Sequence, residues 1–211
     1  MLYNKRVKDV ASLSQRLKEK AGELGLSPVG ITTAAPLYKT RGILEQAAQQ
    51  LPFITGSVLQ RTDPRLVWPE ARSVVMVGLS FPVPAVGPAA GTLRGYFAAG
   101  TYELDYHRVL KDKLARLAAF LQQGVPGSRT FLFVDTGPLV ERALAHRAGL
   151  GVWGENSFVL CPQLSAPFFL GGVATDVDLA PDSAVAGTCL QCGRCREACP
   201  TNALDIPYQL N

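Results

Sequence analysis

Leu110, Leu114, Leu117 and Leu121 recur every three to four residues, with Lys111, Lys113 and Arg116 set between them. That spacing gathers the leucines on one stripe and predicts a helix over 103–123, ended by Gly124 and Pro126. Leu13, Leu17, Ala21 and Leu24 repeat the pattern and predict an earlier helix stopped by Gly25. Pro36, allowed at a first helical position, opens another that runs to about Gln50. A fourth is predicted over 139–148, with Pro138 near its start.

Between these lie short apolar runs without helical period. Ser73 to Leu79, SVVMVGL, is rich in β-branched residues and has no polar alternation, the pattern of a strand covered on both faces. Val29–Ile31, Thr130–Val134, Ser157–Leu160 and Phe168–Thr175 read as further strands. Phe81 to Gly95 carries Pro82, Pro84, Gly87, Pro88, Gly91 and Gly95, a density of breakers that predicts a long loop. Helices alternating with apolar strands imply a layered α/β or α+β fold. Asp176 to Thr188 is polar and small-residue in character, and a domain boundary is placed there.

The chain has 211 residues, 47% hydrophobic and 18% charged, enough for one domain plus a small module with a real core. No run of about 18 apolar residues occurs, which argues against a membrane helix. The stretch from Met1 to Val10 is charged and lacks the apolar segment of a secretory signal. A net charge of +4 permits a polyanionic partner without demanding one.

The cysteines change this picture most. Of five, four fall in Cys189-Leu-Gln-Cys192-Gly-Arg-Cys195-Arg-Glu-Ala-Cys199-Pro200, a C-x2-C-x2-C-x3-C-P run. This is bacterial ferredoxin spacing: three thiolates from a tight loop serve one cubane, and the fourth serves a second cluster. Soft iron–sulfur centres require such thiolate donors. A structural zinc site, the competing reading, usually splits its ligands into two separated pairs, which this compact run does not. A two-cluster knot needs another cysteine motif further along, which these 211 residues do not contain, so either the polypeptide is truncated, or the clusters are incomplete, or another chain contributes. Cys161 stands alone after an apolar strand and reads as a core residue.

Asp135 ends the apolar run Thr130-Phe-Leu-Phe-Val. Ligands in α/β sheets collect at strand ends, and a carboxyl packed against apolar residues can hold a proton at neutral pH and donate it. The residue type alone fits equally a cap of the following helix, and capping is the commoner use. Gly149-Leu-Gly151-Val-Trp-Gly154 matches the dinucleotide fingerprint by letter but follows a helix rather than a strand, so it reads as a helix stop and a close backbone approach. His107 and His146 read as half-buried helix residues, and Arg142 and Arg147 as a solvated helix face.

Several stretches taken in order resemble the epoxyqueuosine reductase family. They are Arg61-Thr-Asp-Pro64 with Pro69-Glu-Ala-Arg-Ser-Val-Val, then Arg94-Gly-Tyr-Phe-Ala-Ala and Asp105-Tyr-His107. Val134-Asp-Thr-Gly137, Glu141-Arg-Ala, Arg147-Ala-Gly-Leu-Gly151 and the cysteine run with Thr201-Asn-Ala-Leu follow, then Gln209-Leu-Asn211. The resemblance implies an α+β fold: a nitroreductase-like layered, cobalamin-binding catalytic domain over 1–178 and a partial ferredoxin-like 4Fe-4S module over 179–211. It implies reduction of the epoxide of epoxyqueuosine in tRNA through cobalamin and two 4Fe-4S clusters, with Asp135 as proton donor. The family's cobalamin contacts fall on Arg61, Ala98, Asp135, Val159 and Leu170, and its cluster ligands on Cys189, Cys192, Cys195 and Cys199. It further implies a cytoplasmic monomer served by an electron-donor protein or reductant, with no membrane partner. Members of the family often carry Lys where this chain has Glu155, which leaves open a related corrinoid reductase with another substrate. A non-catalytic electron-transfer or corrinoid-binding module is the other reading of so short a piece.

Overall fold

The computed structural model describes residues 2–49, 56–81, 104–164 and 166–211. The predicted loop over 81–95 and the site residue Ala98 lie almost entirely outside them. Helix α1 (Leu2–Glu23), strand β1 (Val29–Thr33) and helix α2 (Tyr38–Ala48) come first. Two short helices, α3 (Val58–Thr62) and α4 (Pro64–Val67), precede β2 (Ser73–Ser80) and α5 (Tyr106–Gly124). Then come β3 (Thr130–Phe133), α6 (Glu141–Arg147), β4 (Val152–Trp153), β5 (Val159–Leu160), β6 (Phe168–Thr175) and α7 (Arg194–Glu197).

Among the described residues one sheet has the order β1-β2-β6-β3, and every pairing in it is antiparallel. β2 is therefore central, and its first six residues are all buried, as the unbroken apolar run predicts. Its alternating side chains feed two cores. Val75 and Val77 pack with Leu17, Leu110, Leu114 and Leu117 of α1 and α5 on one face. Val74 and Met76 pack with Phe133, Leu144 and Leu150 on the α6 side. The result is a sheet with helices on both faces.

Small residues let these layers close. A methyl group added at Gly172 of β6 would strike the Phe133 ring, and one at Gly171 would come within 2.9 Å of Leu110 Cδ2. The apparent dinucleotide motif is used in the same way. Gly149 follows α6 at φ 80°, the left-handed stop that glycine adopts without strain, and Gly151 lies against the backbone of Leu160 in the β4–β5 hairpin.

The segment after β6 is docked to the sheet domain along much of its length. Leu179 is buried, and its N–H donates to Ser73 Oγ at 2.9 Å. Asp182 accepts from Ile31 N–H at 2.9 Å and from Lys18 Nζ at 2.6 Å, while its own N–H donates to Ile31 O at 2.8 Å. This strand-like exchange covers the free edge of β1. Among the described residues no helix is long and apolar enough to cross a membrane.

Candidate active site

A cavity of about 1330 Å³ opens on the α6 side of the sheet. Of the five residues expected to contact cobalamin, Arg61, Asp135, Val159 and Leu170 all line it. They arrive from α3, the β3–α6 loop, β5 and β6, segments far apart in sequence. Tyr106, Phe168, Phe169 and Trp153 add aromatic wall, and Gly187 and Thr188 from the docked segment close another side. Thr188 thus sits on the cavity wall one residue before Cys189.

Asp135 occupies the left-handed region at φ 49°, which Asp adopts more readily than most residues but still at a cost. It does not cap α6, whose N-cap residue is Val140 and has no side-chain cap bond. Nor is it packed into apolar surroundings, because its side chain is 63% exposed and open to reactants. Its Oδ2 accepts from the Tyr106 hydroxyl at 2.9 Å. His107 Nε2 lies 3.4 Å from the same oxygen, buried and without a hydrogen bond of its own.

These neighbours are themselves fixed. Asp105 caps α5 by accepting from the His107 N–H at 2.9 Å, and the same oxygen meets His107 Nδ1 at 2.8 Å. A carboxylate oxygen can only accept, so Nδ1 carries the hydrogen and Nε2 is left facing Asp135. The ring bond with His107 holds the Asp105 carboxyl below its ordinary value. The Tyr106 ring stacks on Phe169 at 3.7 Å and on His107 at 4.0 Å. Burial and the bond to Asp135 push the Tyr106 hydroxyl up to about 12, so it stays a donor.

The acid in the low-polarity setting is Glu141. Burial, partly offset by the Asp135 N–H, raises its carboxyl to about 7; the Asp135 charge raises it further, and His107 and Arg142 oppose the rise. Glu141 Oε1 accepts the Asp135 N–H at 2.7 Å. Sequence reading placed the perturbed carboxyl at Asp135 and gave Glu141 no role of its own. Its first-turn position in α6 was the available signal, but which group would bury it depends on the β3–α6 loop geometry.

The two arginines of α6 differ. Arg142 is exposed, donates to Ser157 O at 2.9 Å and lies over the Phe158 ring. Arg147 is not on a solvated face. It donates to Thr33 O at 2.6 Å, Ala35 O at 2.8 Å and Thr32 Oγ1 at 2.9 Å, tying down the chain after β1.

The four cysteines of the 2-2-3 run are partly or fully exposed; Cys195 lies within α7, whose N-cap Gly193 takes φ 76°, and the other three lie before or after it in the chain. Among the described residues no group of three or more His, Cys, Asp or Glu is drawn together at metal-binding distance. The donor chemistry nonetheless fits a thiolate-held cluster, and the Thr201 hydroxyl lowers the Cys199 thiol toward its thiolate. Cys161 is buried, as its lone position predicts.

Residues 61–136 match the family model described as epoxyqueuosine reductase QueG, DUF1730, and residues 185–205 match the 4Fe-4S binding domain. The epoxyqueuosine reductase of Listeria monocytogenes is 35% identical over 208 residues, covering 95% of this chain and 54% of that one. Nearly the whole chain is thus similar to epoxyqueuosine reductases. The Escherichia coli enzyme is 31% identical over 96% of this chain and 55% of its own length. A solved family structure holding an epoxyqueuosine-modified tRNA-Tyr stem loop superposes with a TM-score of 0.85 at 33% identity, covering 95% of this chain and 55% of that one. The Bacillus subtilis enzyme, solved with its catalytic aspartate loop swung out of the active site, also gives 0.85 at 32% identity, over 95% of this chain and 55% of that one. A reductive dehalogenase shares the fold at 22% identity and a TM-score of 0.53, over 96% of this chain and 24% of its own. The chain spans about half the length of the curated family members it matches.

Proposed function

We propose that this chain is the cofactor-bearing part of an epoxyqueuosine reductase, acting on the epoxide of epoxyqueuosine in tRNA. The observation that carries the reading is the single cavity in which Arg61, Asp135, Val159 and Leu170 converge. Its volume of about 1330 Å³ exceeds the roughly 300–1,000 Å³ of ordinary small-ligand pockets, which suits a macrocycle. Those four residues would hold a corrinoid, with Ala98 as a fifth contact. Cys189, Cys192 and Cys195 would hold one 4Fe-4S cluster, and Cys199 would contribute to a second. When bound, the corrinoid supplies the redox chemistry that side chains cannot, with electrons arriving through the clusters.

The net conversion takes two electrons and two protons, breaks both C–O bonds of the epoxide and leaves an alkene and water. The protein supplies position, exclusion of water and protons. Asp135, open to the cavity at the end of β3, would protonate the leaving oxygen. Tyr106 aims its carboxyl from one side by donating to Oδ2, and its ring is held in place by stacking on Phe169. The loop bearing Asp135 corresponds to the catalytic loop that is swung out of the active site in the Bacillus subtilis structure.

The layered domain over 1–178 is taken as nitroreductase-like and residues 179–211 as a ferredoxin-like module. The protein would work as a cytoplasmic monomer supplied by a separate electron donor. The test is Asp135→Asn in the complete enzyme. Corrinoid binding should persist while epoxide reduction is lost; unchanged turnover would remove Asp135 from the chemistry.

A further inference from the structure

Asp135 is held in an unfavourable backbone conformation, and that conformation aims its carboxyl into the cavity. At φ 49° it is a non-glycine residue in the left-handed region, and the next N–H, of Thr136, folds back onto Val134 O at 2.6 Å. Such a tight, strained turn persists only where its surroundings enforce it.

Two contacts do so. The far end of the loop is tied by the Val140 N–H, which donates to Arg61 O at 3.0 Å. The near end is tied by Glu141, whose Oε1 takes the Asp135 N–H at 2.7 Å. Glu141 does not spend its carboxylate on its own helix, since α6 has no side-chain cap. Ala143, Leu144 and Ala145 of α6 are buried against the sheet, so Glu141 acts from a rigid base.

Building on the role proposed for Asp135, we infer that Glu141 is its positioning residue: by gripping the Asp135 N–H it holds the strained turn closed and the catalytic carboxyl in place. Glu141 need not touch substrate or cofactor to matter. Removing the grip would leave the site assembled but Asp135 unaimed.

The test compares Glu141→Ala, which removes the acceptor, with Glu141→Gln, which keeps one. The first readout is amide hydrogen exchange over 134–140 in this chain without added cofactor. The Ala variant should exchange there on the order of ten- to hundredfold faster, with β2 and β6 unchanged, and the Gln variant should stay near wild type. The second readout is steady-state turnover of the complete enzyme, where Ala should lower kcat with KM unchanged and Gln should restore most of it. Unchanged exchange over 134–140 in the Ala variant would overturn the inference. So would faster exchange spread through α6 and the sheet, which marks a structural role. If Asp135→Asn keeps full turnover while Glu141→Ala still loosens 134–140, the catalytic reading fails and the grip stands.

Discussion

Replacing Glu141 by Gln should change how stability depends on pH in a way that only a buried, titrating carboxyl explains. In the folded chain its value rises from 4.5 to about 7, first because burial penalises the charged form. Between those values the native state holds a proton that the unfolded state has released. Stability from this group is therefore full below about 4.5 and is lost as pH rises through about 7. At 1.36 kcal/mol per pKa unit the loss amounts to roughly 3 kcal/mol. Gln keeps the shape and an acceptor for the Asp135 N–H but cannot ionise. In urea titrations the variant should gain on the wild type by roughly 3 kcal/mol between pH 4 and pH 8, a midpoint shift on the order of 1 M. Shared contributions from other groups cancel in the difference. A difference that stays flat across that range would mean that Glu141 does not titrate as a buried carboxyl, and a gain toward acid pH would mean that its value is lowered rather than raised.

Other outcomes follow from the packing and the docked segment. Gly172→Ala should lower stability by about 1–3 kcal/mol in thermal unfolding, because the new methyl meets the Phe133 ring. Leu114→Ala, at a fully buried position between α5 and the sheet, should cost about 2–5 kcal/mol. Glu155 is 7% exposed, its backbone O accepts the Tyr208 N–H at 2.8 Å, and its Oε2 lies 3.9 Å from Arg196 Nε without a hydrogen bond. Arg196→Gln should speed amide exchange over 189–211 several-fold, a loss of about 1 kcal/mol given the exposure of Arg196, while the sheet keeps its protection.

The layers of this fold were legible where burial is decided by neighbouring residues in the chain. The α5 stripe and the β2 run each carry their own period, and β6 was placed with its ends as observed. Helices α3 and α4 were not, because elements of five and four residues have no period to show; their signals were the caps Ser57 and Asp63. The site divides in the same way. Asp135 stood out at a strand end, and the family resemblance assembled Arg61, Val159 and Leu170 around it. What pairing decides stayed hidden: the buried Glu141, the Arg147 clamp on Thr33 and Ala35, and the burial of Glu155. Each depends on contacts between segments tens of residues apart or on a turn at positive φ, which no local pattern encodes.

A corrinoid should bind in the cavity that Asp135 lines. Absorbance-monitored titration of hydroxocobalamin into this chain, compared with the Leu170→Arg variant, tests it most directly. The wild type should bind saturably and one to one, and the variant should not, because arginine at 170 puts a charge and extra bulk on the wall that also carries Phe168 and Phe169. No saturable binding, or equal binding by both proteins, would contradict it.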